Sequence, residues 1–222
     1  MNTILKIFLF FIVVYLLYYF FGGSKALTNT TDATKNVVIP STSFPAGTSM
    51  NYAYSIWIYI DDWNYKLNQE KIIFIRGALG DLFMPCLSLD ANDNNLIVSV
   101  STDTEPYQTY VPNIPLQKWT NLIVSLTNKS MDIYVNGKLV RTTVLPSVPK
   151  TDPNASLYLT PNGGFSGYTS GLFYWKDSIT PQAAWNVYKK GPGGSMFGNL
   201  LNQYKVQLNF LKGDDVKASI TI

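Results

Sequence analysis

The sequence predicts an all-β sandwich preceded by one N-terminal transmembrane helix. Three observations carry that expectation: period-two alternation through residues 119–144, a series of short alternating runs punctuated by turn residues, and one long apolar run near the amino terminus. Within 119–144, Leu122, Val124 and Leu126 alternate with polar or smaller neighbours, then Met131, Ile133 and Val135 do the same, then Leu139 follows. Side chains two residues apart share one face of a strand, so the stretch reads as three consecutive strands. Asn136-Gly137 joins the last two, because both residues take positive φ at low cost and suit a type I′ hairpin turn. Asn128-Lys129 serves as a similar turn between the first two. Trp119 opens the best-patterned of these strands and is assigned to the core, with most of its ring buried and a role in folding rather than in ligand contact.

Upstream, Tyr52, Tyr54, Ile56, Ile58 and Ile60 alternate with Ala53, Ser55, Trp57 and Tyr59. Large side chains on both faces predict a strand covered on both sides. Further strands are predicted near Glu70–Arg76, Leu82–Leu89, Asn95–Ser101 and Gln108–Val111, with Gly, Asp, Asn and Pro clusters between them. Their spacing suits a sandwich. Two final alternating runs, Tyr204–Leu211 and Val216–Ile222, flank Lys212-Gly213-Asp214-Asp215 and predict a terminal hairpin.

From Ile4 to Phe21 the chain is apolar or aromatic except for Lys6. A helix of that length spans about 27 Å, close to the thickness of a hydrocarbon core. Tyr15, Tyr18, Tyr19, Phe20 and Phe21 gather at one end, where amphipathic rings suit a membrane interface. The competing reading is a cleaved signal peptide, with Lys6 as its charge and Ser24-Lys25-Ala26 as its cleavage pattern. The sequence divides into a transmembrane anchor over 1–24, a flexible stalk over 25–45 and a β domain over 46–222. The expected location is a single-pass membrane protein.

A chain of 222 residues with 46% hydrophobic content can bury a large core. The formal net charge of +3 is small and no Lys/Arg run concentrates it, so the expected partners are protein, glycan and membrane, with no nucleic acid. With no histidine, every His-dependent triad and metal site is excluded. Cys86 is the single cysteine, which excludes an intrachain disulfide and a zinc cluster, and its apolar surroundings read as a buried structural thiol.

Several of these stretches resemble the laminin-G and concanavalin A-like jelly-roll superfamily. They are Trp119-Thr120 leading to a strand that ends Tyr134-Val135-Asn136-Gly137-Lys138, the Ser55-Ile56-Trp57 strand running into Asp61-Asp62, and Ser156 to Gly191. In the last stretch the resemblance implies a Gly-rich loop, a closing strand and a short helix. Thr180 can cap that helix, with Pro181 at its first position, Ala184, Trp185 and Tyr188 along it and Gly191 past its end. The resemblance covers roughly residues 50 to 190 and implies a concanavalin A-like jelly roll. The layout of anchor, cysteine-poor β domain and terminal hairpin is similar to membrane-anchored virion proteins of nucleocytoplasmic large DNA viruses. That similarity implies a structural module joining a virion membrane to capsid proteins.

Glycoside hydrolysis on such a scaffold needs two converging carboxylates. The superfamily's hydrolases carry a Glu-x-Asp-x-x-Glu strand, whereas the only glutamates here are Glu70 and Glu105, and Asp103 with Glu105 sits in a polar loop. The expectation is therefore no catalytic residues and no enzyme. Asp90, Asn92 and Asp93 offer oxygen ligands for Ca²⁺, which the resemblance places at a sandwich rim, although such residues also build ordinary hairpin turns. No other cofactor is expected. For the alternative, a carbohydrate-binding cell-surface lectin, the sugar-stacking candidates are Trp63, Tyr65, Tyr107 and Tyr110, in loops or at strand ends.

Overall fold

A computed structural model describes residues 26–45, 49–78, 82–193 and the backbone of two carboxy-terminal strands over 207–212 and 215–221. Two six-stranded sheets form a sandwich in which every pair of neighbouring strands is antiparallel. The front sheet runs β1 (Thr31–Asp32), β12 (Ser166–Trp175), β3 (Tyr52–Asp62), β8 (Thr120–Thr127), β9 (Ser130–Val135), β10 (Lys138–Val144). The back sheet runs β2 (Val37–Ile39), β11 (Leu157–Leu159), β4 (Lys71–Ala78), β5 (Leu82–Leu89), β6 (Leu96–Val100), β7 (Tyr107–Val111). β13 (Gln207–Lys212) and β14 (Asp215–Thr221) pair as a separate hairpin. This is the two-sheet, all-β architecture expected from the alternating runs, and it fits a jelly roll.

The core follows from alternation. Ile56, Ile58 and Ile60 of β3, Leu122, Val124 and Leu126 of β8, and Met131 and Ile133 of β9 meet Phe74, Leu87, Leu89, Leu96 and Val98 of the back sheet. Each large aliphatic side chain buried there contributes about 1.5–3 kcal/mol. The odd-numbered residues of β3 and β8 face away from this core, and much of that outer face is covered by helix α1 (Pro181–Lys190). Ala184 packs on Ile123 and Tyr134, and Trp57 stacks on Tyr188 with ring centroids 5.7 Å apart. Strand β3 is therefore covered on both sides over much of its length, as its two-sided apolar pattern predicts. The helix begins as expected, with the Thr180 hydroxyl accepting the Ala183 N–H at 3.2 Å and Pro181 at the first position.

Two expectations need correction. Residues 26–45 are not a free stalk: β1 pairs Thr31 with Thr169 and β2 pairs Ile39 with Leu157, so the segment adds one edge strand to each sheet. These strands are too short to show a hydrophobic period, and β1 is tied by hydroxyl contacts such as Thr31 to Thr169 at 2.8 Å. Trp119 is the second correction. Thr120 is the inward residue, fully buried opposite Ile58, so its neighbour Trp119 faces outward and is only half-buried.

Among the described residues no helix is long and apolar enough to cross a membrane. The span predicted over Ile4–Phe21 lies outside the described residues.

Candidate functional site

The outward register of the front sheet gathers three aromatic rings that are far apart in the chain. Tyr59 on β3 pairs with Tyr168 on β12, and the pairing of Ile58 with Thr120 sets Trp119 on the other side of Tyr59. The rings tilt against one another, with Tyr59 at 5.7 Å and 55° from Trp119 and at 6.4 Å and 51° from Tyr168. With Thr30 and Asp61 they line an open groove of about 480 Å³, within the usual range for a ligand site. Tyr168 is half-exposed, and Thr30 and Asp61 are exposed. The turn carrying Trp119 is pinned by Gln117, whose backbone N–H donates to the Ile60 carbonyl at 2.8 Å. Thr30 is held by a 2.8 Å hydroxyl contact to Ser170.

This arrangement can take the apolar C–H face of a ring-shaped, hydroxyl-bearing ligand on tilted aromatic walls, with Asp61 and Thr30 available for hydrogen bonds at the rim. Asp61 is the single carboxylate among the lining residues, so the groove holds no opposed pair of the kind glycoside hydrolysis uses.

The four aromatic residues singled out from the sequence do not converge. The Trp63 indole N–H donates to the Asn92 carbonyl at 3.3 Å, and the Lys71 ammonium sits over its ring at 4.4 Å. The Tyr65 hydroxyl donates to the Gly163 carbonyl at 3.0 Å. Tyr107 packs against the core and shares a hydroxyl contact with Thr143. Tyr110 is exposed on edge strand β7, its hydroxyl donating to Gln108 Oε1 at 2.9 Å. Trp63, Tyr65 and Tyr107 thus fasten parts of the chain to one another, and Tyr110 stands on the back sheet.

Asp90, Asn92 and Asp93 lie in the β5–β6 turn. Asp90 Oδ1 accepts the Asn92 N–H at 3.0 Å, and the Asn95 N–H donates to the Asp93 carbonyl at 2.7 Å. Among the described residues no group of three or more acidic, Cys or His side chains is placed to hold a metal. Of the carboxylates weighed for catalysis, Glu70 accepts from the Ser88 hydroxyl, while Asp103 and Glu105 are exposed in the loop after β6.

The family described as the concanavalin A-like lectin/glucanases superfamily, in a laminin-G-type model, matches residues 31–182, more than half of the chain. No curated protein matches it. Among solved structures, the botulinum neurotoxin serotype G binding domain aligns with TM-score 0.58 at 12% identity, over 72% of this chain and 41% of that one. The botulinum neurotoxin serotype D ligand binding domain in complex with N-acetylneuraminic acid aligns with TM-score 0.60 at 12% identity, over 74% and 42%. The binding domain of botulinum neurotoxin DC in complex with rat synaptotagmin II aligns with TM-score 0.51 at 12% identity, over 63% and 35%. At such identities the likeness is one of fold. The chain spans about two-fifths of the length of the first two, 41% and 42%.

Proposed function

The chain belongs to the concanavalin A-like lectin/glucanase superfamily, and from that premise we propose that it is a non-enzymatic, membrane-anchored recognition module that binds a glycan in the Tyr59–Trp119–Tyr168 groove. One observation carries the reading: two rings from neighbouring strands and a third from the turn before β8 converge on an open groove whose rim supplies hydrogen-bonding groups. The single carboxylate in the groove supports binding over hydrolysis. The fold neighbour that holds N-acetylneuraminic acid supports a sugar as the class of ligand. In this reading residues 1–24 would supply the anchor, and the chain is expected to stay with membranes through a carbonate wash.

The test is a glycan array probed with the full chain in detergent. Competable sugar binding at about micromolar strength is expected, a range common for single shallow sites. Trp119→Ala and Tyr168→Ala should each abolish it while costing about 2 kcal/mol of stability or less, because both rings are partly solvated. Sugar binding that survives both substitutions, or a wild-type chain that binds no glycan, removes this reading.

A second reading, a structural link between a virion membrane and capsid proteins, is favoured by edge strand β10. There Leu139, Val140 and Val144 are exposed at 48%, 47% and 71% beside a strand edge that no other described strand pairs with, a surface to which a partner protein can add a strand. Loss of capsid-protein binding on Val140→Lys, with glycan binding intact, would put this reading first.

A further inference from the structure

Arg76 of β4 lies between the two sheets, only 9% exposed. Its guanidinium stacks 4.2 Å from the Phe44 ring centroid and 5.4 Å from that of Tyr174. One N–H donates to the Tyr54 hydroxyl at 2.8 Å and another to the Ala155 carbonyl at 3.4 Å. Burial works against its charge, and the Tyr54 and Tyr174 hydroxyls more than offset that, so the group stays cationic. Arg76 forms no ion pair with a carboxylate among the described residues, and a guanidinium carries more N–H donors than these partners use. Beside it lies a small cavity of about 20 Å³, lined also by Tyr52, Tyr174 and Asp152. Tyr52 is 4% exposed, and its hydroxyl has no hydrogen-bond partner among the described residues. Burial holds that hydroxyl well above its ordinary pKa, so it remains a donor. Asp152 is the carboxylate in the lining, and its Oδ1 accepts the Asn154 N–H at 2.8 Å.

A buried cation with spare donors and a buried hydroxyl without a partner among the described residues border one small space, and both would gain from an acceptor placed there. We propose that this pocket binds a single monatomic anion of the halide class, held by Arg76 and Tyr52 and closing the end of the sandwich. The space is far smaller than the aromatic groove and is bordered by a guanidinium, which separates the two sites in both size and chemistry. The anion supplies the counter-charge for Arg76 and the acceptor for Tyr52, so its binding favours the folded state.

Thermal unfolding of the full chain in detergent, with sodium chloride or bromide exchanged against sodium gluconate at constant ionic strength, tests this. A saturable rise in Tm with either halide is expected. Tyr52→Phe, which keeps the ring, should weaken the apparent halide affinity about tenfold. Crystals soaked in bromide should give an anomalous peak beside Arg76. The proposal fails if chloride and gluconate curves coincide. It also fails if Tyr52→Phe raises Tm equally in both salts, which is how removal of a merely stranded hydroxyl would behave.

Discussion

Replacing Gly137 with alanine puts a methyl group at the point where the β9–β10 turn touches helix α1. Gly137 has φ +73°, and a Cβ built there would lie 2.9 Å from Tyr188 Cβ, 3.0 Å from Trp185 Cε3 and 3.1 Å from Trp185 Cα. The left-handed backbone costs a residue bearing a Cβ about 1 kcal/mol. The contacts add more, because two of them are to atoms fixed to the helix itself, so the helix must retreat by a few tenths of an ångström or the turn must distort. Overpacking of this kind costs about 1–3 kcal/mol, which brings the expected loss to about 2–4 kcal/mol. Urea unfolding of the full chain in detergent, followed by tryptophan fluorescence, measures it, since Trp57 and Trp185 both lie at this junction. Hydrogen exchange should also quicken in 183–190 before it does in β8. A Gly137→Ala protein within about 0.5 kcal/mol of wild type, the range of an ordinary surface substitution, would mean that the helix does not rest on the turn and that the covered face is misplaced.

Cys86 has its thiol pushed up to about 12 by burial first and by the charge of Glu70 second. A thiol reagent at pH 8 should therefore label it only after denaturant is added, and rapid labelling of the native chain would contradict its placement. Burial raises the hydroxyls of Tyr52 and Tyr54 above the ordinary tyrosine value. The stability tied to them is complete below about pH 10 and is lost as pH climbs toward the folded values, so Tm measured from pH 8 to 11 should hold and then fall; a flat profile to pH 11 would refute the burial. Thr180→Ala removes the cap on α1 and should cost about 1 kcal/mol in urea unfolding, with no cost expected only if the Ala183 N–H finds another acceptor.

Most strands and the helix were legible because their signals are local: alternation over five or more residues, Asn136-Gly137 at a turn, Thr180-Pro181 at a helix start. β1 and β2 were not, since runs of two and three residues carry no period. The groove was half legible. Leu122, Val124 and Leu126 fix even numbers as the inward register of β8, and the same rule sends Trp119 outward. Its size argued for the core, but in a strand parity decides the face. Tyr59 obeys the same rule beside Ile58 and Ile60. What parity cannot supply is the partner: only the register of β12 against β3 brings Tyr168 to Tyr59, across more than a hundred residues of chain. Trp63, Tyr65 and Tyr107 drew attention because they fall in loops or at strand ends, yet loops and edges also need fastening, and those side chains do it.

Trp57 lies two residues before Tyr59 on the same face of β3, about 7 Å along the strand, and there the surface is already roofed by Tyr188. The aromatic trough is consequently a cul-de-sac in that direction. A polymer threaded lengthwise along β3 would collide with the helix, whereas a chain end, or a branch lying across the strands from Tyr168 to Trp119, would not. The helix that seals the outer face would thus act as a stop for a glycan bound as proposed, and would bias the groove toward termini and branch points over the interior of long filaments.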